Sequence, residues 1–289
     1  MKTKKAVVTV AGKKQRNLPL QTLVDCDGIE KSVLEIIIEQ SLAAGIEEIG
    51  LVINPEDKEK YKEVAKDYIS RINFIPQPDP LGYGHAVYCA KGFSENSPVL
   101  HLVGDHLNVS SQPEGCSEKL VKISEAEDCT VSAVQSTSET QLPFYGTVGG
   151  KRVPGKKDLY KVERVIEKPT PTEAEQSLII PGLRSSHYLC FFGIHVLTPA
   201  VFDILGFLLN KNKESKNITL SSALDELSKK EQYLAFEYPG MRYDLGSKYG
   251  LFTAQIALAL NGTDRDVVLT KMLELLGQKE LSFYSNKPE

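Results

Sequence analysis

The sequence predicts an α/β fold built on parallel strands, and two features of its first half carry that expectation. Short β-branched apolar runs recur at Lys5–Val10, Ile49–Ile53, Asn73–Ile75 and Val99–Val103. Segments with helical periodicity separate them, and a strand–helix–strand alternation of this kind places crossover helices on a parallel sheet.

The elements follow in order. Lys5–Val10 reads as the first strand, and Ala11-Gly12 ends it. Glu30–Ala44 presents an apolar face of Val33, Leu34, Ile37, Ile38 and Leu42 and stops at Gly45, so it reads as one helix. Tyr61, Val64, Ala65, Tyr68 and Ile69 keep the spacing of a second amphipathic helix, and His85–Ala90 falls in a short third one. In the second half, Cys129–Gln135, Tyr145–Val148, Asp158–Glu167 and Tyr188–His195 read as strands, with a turn at Gly149–Gly155. Thr198–Asn210, opened by Thr198-Pro199, and Ile218–Lys230 read as helices, and Ser247–Leu260 and Thr263–Leu276 as a helical tail. A soft boundary near residue 240 separates a core of 1–240 from C-terminal helices of 241–289.

Composition narrows the function classes. Over 289 residues the net charge is −4, with 41% hydrophobic and 25% charged residues, as in ordinary soluble domains. No long basic stripe points to nucleic acid. No apolar run approaches the ~20 residues of a membrane span, and the apolar stretch at Ala6–Val10 is too short for a signal-peptide core. Five cysteines, an odd number with no C-x-x-C pair, fit reduced thiols in a cytoplasmic protein.

In open α/β sheets ligands bind beyond the carboxyl ends of the strands. Three candidate segments occupy that position: Ala11–Arg16, Gln77–His85 and Gly104–His106. They are expected on one rim, as parts of one site.

Seven segments, in order, resemble the bacterial UTP–glucose-1-phosphate uridylyltransferases. They are Ser41-Leu42-Ala43-Ala44-Gly45-Ile46-Glu47-Glu48-Ile49, Pro80-Leu81-Gly82-Tyr83-Gly84-His85-Ala86-Val87, Gly104-Asp105, Tyr145-Gly146, Glu167-Lys168-Pro169, Val196-Leu197-Thr198-Pro199 and Arg242-Tyr243-Asp244-Leu245-Gly246-Ser247-Lys248. The resemblance implies a Rossmann-like mixed sheet flanked by helices, with a sugar-binding lobe. It implies attack by a sugar 1-phosphate oxygen on the α-phosphorus of UTP, giving UDP-glucose and pyrophosphate. Open alternatives are the same chemistry with another triphosphate or sugar 1-phosphate, and a catalytically weak regulatory homologue.

The resemblance also implies roles. Asp105 and Asp244 are the expected ligands of Mg²⁺, which takes hard oxygens and usually only one or two protein carboxylates. Lys168 is the expected sugar-phosphate clamp, Glu167 the acceptor for sugar hydroxyls, and Gly146 the point where backbone meets the hexose. Ala11, Gly12, Gln77, Gly82 and Asp105 are expected at the nucleotide, with Gly82 and Gly84 letting the chain pass a flat base. Arg16, Lys168 and Asp105 form the expected catalytic set. The implied partners are small molecules, with a homo-oligomer possible.

The sequence departs from the family in three places. The family's Gly-Thr-Arg core is here Lys14-Gln15-Arg16, preceded by Lys13; a side chain in a phosphate-cradling loop obstructs the approach that glycine permits. His106 stands where the family commonly has a second Asp, and is not expected to be a metal ligand. Asn217 falls where the family often has a glutamate. His85 is read as opening its helix, and His101, His187 and His195 as structural.

Overall fold

The structure, a computed structural model, describes residues 1–13, 15–79, 81–211 and 218–285, with side chains described through Gln278. The expectations for Lys14 and Asn217, and Pro80 within its motif, lie outside the described residues.

The first half folds much as its alternation predicts. Strand β1 (Lys5–Thr9) leads to a hairpin of β2 (Thr22–Val24) and β3 (Glu30–Ser32), which feeds helix α1 (Val33–Ala43). The expected helix from Glu30 therefore begins three residues later. Ser32 accepts from the Glu35 amide and Glu35 returns a carboxylate to the Ser32 amide, a reciprocal cap that satisfies two free donors and fixes the start. After β4 (Glu48–Ile53), α2 (Lys58–Val64) ends in a tighter turn from Lys66 to Arg71, so the expected second helix is broken at Ala65. Then come β5 (Ile72–Pro76), α3 (Tyr83–Cys89), α4 (Lys91–Ser94), β6 (Val99–Val103), β7 (His106–Val109) and α5 (Cys116–Glu127).

The second half contains β8 (Thr130–Ser138), β9 (Gly146–Arg152), β10 (Leu159–Glu167), α6 (Pro171–Ser177), β11 (His187–Leu197), α7 (Pro199–Lys211), α8 (Leu220–Ser228), β12 (Tyr233–Glu237), β13 (Met241–Asp244), α9 (Gly250–Asn261) and α10 (Arg265–Ser285). Strand β9 continues through the expected glycine turn to Arg152; Gly149 and Gly150 sit in the ladder, where a Cβ on Gly150 would lie 2.0 Å from the Lys161 carbonyl oxygen.

Nine strands form one mixed sheet in the order β5-β4-β1-β6-β11-β8-β12-β10-β9. The first four are parallel, and β11 runs antiparallel to both β6 and β8. Strand β9 also pairs with β11, through Leu189 opposite Val148 and Cys190 opposite Thr147. Strands β11, β8, β12, β10 and β9 thus close into a ring, leaving the parallel strands as an open wing. One face of the wing packs α1 and α5 over Leu34, Ile37, Leu100, Leu120 and Ile194; the other packs α3, α7 and α8 over Val7, Val87, Phe202 and Leu224. All five cysteines are free. No helix of the described residues is long and apolar enough to cross a membrane.

Register fixes where the loops emerge. Thr9 lies level with Val52 and Val103, and Val52 with Ile75. The chain segments after β1, β5 and β6 consequently leave from one rim. The ring's closure returns the end of β10 there too, since Glu167 pairs with Gly146 while Thr147 lies beside β11.

Candidate active site

A cavity of about 380 Å³ opens on this rim, lined among others by Ala11, Gly12, Gln77, Gly82, Asp105, Glu167 and Lys168. Seven of the expected residues, drawn from four chain segments, thus share one space.

Asp105 and Asp244 are brought together by a two-stranded ladder whose strands come from opposite halves of the chain. Strands β7 and β13 pair antiparallel with His106 opposite Asp244, and the Leu245 amide donates to the Asp105 carbonyl at 2.9 Å. Gly104 lets this junction close, because a Cβ there would sit 2.2 Å from Val10 Cγ1. Ligand atoms of Asp105, His106 and Asp244 all lie within 4.8 Å of one another. Burial pushes the Asp105 carboxyl up, but the hydrogen bond and charge of His106, helped by Gln15, outweigh it and hold the group below its ordinary value. His106, expected to stay apart from any metal set, contacts Asp105 Oδ1 through Nδ1 at 2.9 Å. Two carboxylates and an imidazole this close form a donor set that fits a divalent cation.

On the base side, Gln77 is buried and its amide nitrogen lies 3.0 Å from His85 Nδ1 and 3.5 Å from the Gly82 carbonyl. His85 therefore orients Gln77, whereas the expectation was that it opens the helix; Gly82 occupies the cap position. Gly82 has φ +108°, a conformation open to glycine, and it lines the cavity. Gly84 serves packing instead: a Cβ there would lie 2.7 Å from the Ile218 carbonyl oxygen. The Tyr83 phenol is pushed well above its ordinary value, first by burial and then by the charges of Asp105 and Glu167.

On the far wall, Ser221 donates to Glu167 at 2.5 Å. Lys168 is exposed and adopts φ +49°, a left-handed turn that a non-glycine residue rarely takes. Gly146 pairs with Glu167 across the ladder, but a Cβ there would lie 2.6 Å from both Phe191 Cδ2 and Ser221 Oγ. Its small size is accounted for by these protein neighbours. Arg16 is not among the cavity-lining residues. Its guanidinium lies 3.2 Å from the buried Asp57 carboxylate and 3.6 Å from Glu56, while Tyr61 donates to its carbonyl at 2.7 Å. Thr9 and Phe144 line the cavity without having been singled out; Gln15, Tyr83 and His106 reach it from the three candidate segments, Gln15 and His106 as departures from the family.

Comparison with known proteins bears on the same region. A family model described as nucleotidyl transferase matches residues 18–260, beginning just past the altered Ala11–Arg16 loop. A UTP–glucose-1-phosphate uridylyltransferase of Streptococcus pneumoniae serotype 4 is 30% identical, with 97% of this chain and 98% of that protein covered. One from Streptococcus pyogenes is 30% identical, with 90% of each covered. Among solved structures, a UTP-bound UGPase from Acinetobacter baumannii superposes with a TM-score of 0.72 at 23% identity, over 94% of this chain and 98% of that one. A UDP-glucose pyrophosphorylase complexed with UDP-glucose gives 0.69 at 22% identity, over 88% and 98%. The structural likenesses speak to the mixed α/β fold; the family-model match and the 30% relatives show that this chain belongs to the nucleotidyl transferase family.

Proposed function

We propose that the chain joins UTP and glucose 1-phosphate into UDP-glucose and pyrophosphate, with Mg²⁺ bound by Asp105 and Asp244. The observation that carries this reading is the convergence on one cavity of the Gln77–Gly82 loop, Asp105 and a Glu-Lys pair, with a ligand atom of Asp244 within 4.8 Å of that of Asp105. The streptococcal relatives named for this activity give the substrates.

Both reactants are polyanions, and two unit charges ~4 Å apart repel by ~4 kcal/mol at an effective dielectric near 20. A catalyst of this step therefore works mainly by alignment and charge compensation. Gln77, held by His85, offers an oriented amide to the uracil edge. Gly82 supplies a flat backbone beside the base, while Ala11 and Gly12 border the phosphates. Glu167 accepts from sugar hydroxyls, and Lys168 sets an ammonium against the sugar phosphate. Gly146 anchors the strand that carries this wall. Asp105 and Asp244 would hold a divalent ion, which would supply charge compensation for the phosphates there. A sugar-phosphate oxygen forms the new bond to the α-phosphorus as the bond to the departing pyrophosphate breaks. Arg16 joins this set by exchanging Asp57 for a triphosphate oxygen. A cytoplasmic location, a homo-oligomer and a core of 1–240, to which the segment 241–289 packed on it contributes Asp244 from β13, complete the proposal.

The test is Mg²⁺-dependent release of pyrophosphate from UTP plus glucose 1-phosphate, run within a matrix of triphosphates and sugar 1-phosphates. Asp105→Ala and Asp244→Ala are each expected to abolish turnover in a folded protein, and wild-type rates in either would remove that residue from the metal site. No pyrophosphate from any pair would overturn the enzyme reading. Arg16 paired with Asp57 favours a second reading, a catalytically weak homologue, which the same matrix identifies by substrate binding without turnover.

A further inference from the structure

We propose that His106 supplies an imidazole nitrogen as a third protein ligand to the divalent ion, so that the site prefers Mn²⁺ to Mg²⁺ more strongly than a carboxylate pair would. The proposal rests on the metal-dependent reading above and concerns which residues and which ion complete it.

Four observations converge on His106. Its ligand atom lies within 4.8 Å of those of both Asp105 and Asp244, and these three form the only such cluster among the described residues. The β7–β13 register places His106 directly opposite Asp244, so the two are fixed by the same backbone ladder. Its side chain is only 16% exposed, beside an Asp105 side chain at 10%, so this is an enclosed group. The residue also packs against an irregularity in β11, where the pairing shifts between Phe191 and His195. Gly193 lies in that shift with φ +90°, and a Cβ there would reach within 3.7 Å of His106 Cβ and Cγ and 2.8 Å of Val103 Cγ2.

The ring's hydrogen bond also defines what it can offer. Without an ion, an ionised Asp105 carboxylate only accepts, so His106 Nδ1, at 2.9 Å, is the donor. A ligating imidazole gives up the proton of the nitrogen that binds, and Nδ1 and Asp105 Oδ1 then stand as neighbouring donor atoms, with the Asp244 carboxylate beside them.

The donor set then decides the ion. Mg²⁺ favours hard oxygen ligands and keeps much of its water, whereas imidazole suits later divalent metals. Two carboxylates and one imidazole form a mixed N/O site, which Mn²⁺ tolerates better than Mg²⁺. Removing even an outer partner of a metal ligand costs about 10–100-fold in affinity, so losing a direct ligand is expected to lower Mn²⁺ affinity at least tenfold.

The experiment uses the full chain and Mn²⁺ itself. Mn²⁺ binding is titrated by electron paramagnetic resonance, Mg²⁺ is measured by competition, and pulsed spectra record nitrogen coupling to the bound ion. The expected result is a ¹⁴N coupling that changes to the ¹⁵N pattern when the protein is made with ¹⁵N-histidine. His106→Asp is expected to remove that coupling and to reduce the Mn²⁺-to-Mg²⁺ affinity ratio at least tenfold. Asp105→Ala and Asp244→Ala should each weaken Mn²⁺ binding, which locates the ion. Bound Mn²⁺ without histidine nitrogen coupling, an unchanged ratio in His106→Asp, or no Mn²⁺ binding would each overturn the proposal. The isotope comparison needs no variant, so a misfolded substitution leaves the test intact. Pyrophosphate release with no nitrogen coupling refutes the His106 assignment alone, and nitrogen coupling without pyrophosphate release refutes the enzyme reading alone.

Discussion

Acid should destabilise this protein through two histidines buried together in the sheet. His101 and His195 lie on adjacent strands, directly paired, with ring centroids 5.8 Å apart, and both are almost wholly buried. Burial pushes His195 down to about 3, and burial followed by the proximity of His195 pushes His101 well below its ordinary value. Each therefore stays neutral in the native state at pH values where the unfolded chain takes up a proton. Stability from this source is complete above about pH 6.5, the unfolded value, and is lost as pH falls from there towards 3. At pH 5 the unfolded His195 lies about 1.5 units below its midpoint, and at ~1.4 kcal/mol per unit this amounts to ~2 kcal/mol. His195→Asn removes the titration while leaving an amide able to meet Ser132 Oγ, which lies 2.6 Å from Nδ1. Urea unfolding at pH 5, 6, 7 and 8 is the assay. Wild type should lose about 2 kcal/mol more than His195→Asn between pH 7 and 5. Parallel stability profiles for the two proteins would refute the reasoning. The loss bears on the cavity as well, because His101 meets Thr9 at 3.3 Å and Tyr83 at 3.4 Å, both of them lining residues.

Three further outcomes follow from contacts already described. Arg16→Ala should destabilise the fold by about 1–3 kcal/mol, because among the described residues the Asp57 carboxylate, 3% exposed, then keeps only Lys60 at 3.4 Å as an ion-pair partner; chemical denaturation measures it, and an unchanged midpoint would remove the pair's structural role. Gly104→Ala should cost about 1–3 kcal/mol by forcing a Cβ against Val10, visible as a lower melting temperature. His85→Leu should raise the KM for UTP with a smaller change in kcat, since it frees the Gln77 amide while leaving Asp105 and Lys168 in place; steady-state kinetics with varied UTP checks the split, and an unchanged KM would show that Gln77 needs no such support.

Much of the site was legible because strand order and strand ends are local properties. Runs such as Ile49–Ile53 and Val99–Val103 declare parallel strands, and the segments after β1, β5 and β6 then have to share a rim. What escaped notice has weak local signal. Helix α5 is rich in Ser, Glu and Lys and buries mainly Leu120 and Val121, so its period is faint. The β7–β13 ladder joins two four-residue strands from opposite halves of the chain, and no local pattern encodes that pairing. The association of Asp105 with Asp244 was accordingly carried by family resemblance. Arg16 shows the converse. Its identity matched the family, but a buried carboxylate at Asp57, invisible in the local text, determines where its guanidinium lies.

That late-arriving strand β13 also sets when the protein can first acquire an active site. During synthesis the wing, its helices and most of the ring can assemble from residues already made, yet the second acidic group is still missing. A fragment ending before Asp244 would carry the cavity walls with half of its acidic pair, and on the proposed reading would lack its metal site. Competence is thereby tied to the closing stretch of the chain: only a polypeptide elongated past the Leu245 amide can latch the Asp105 carbonyl and bring the two carboxylates face to face.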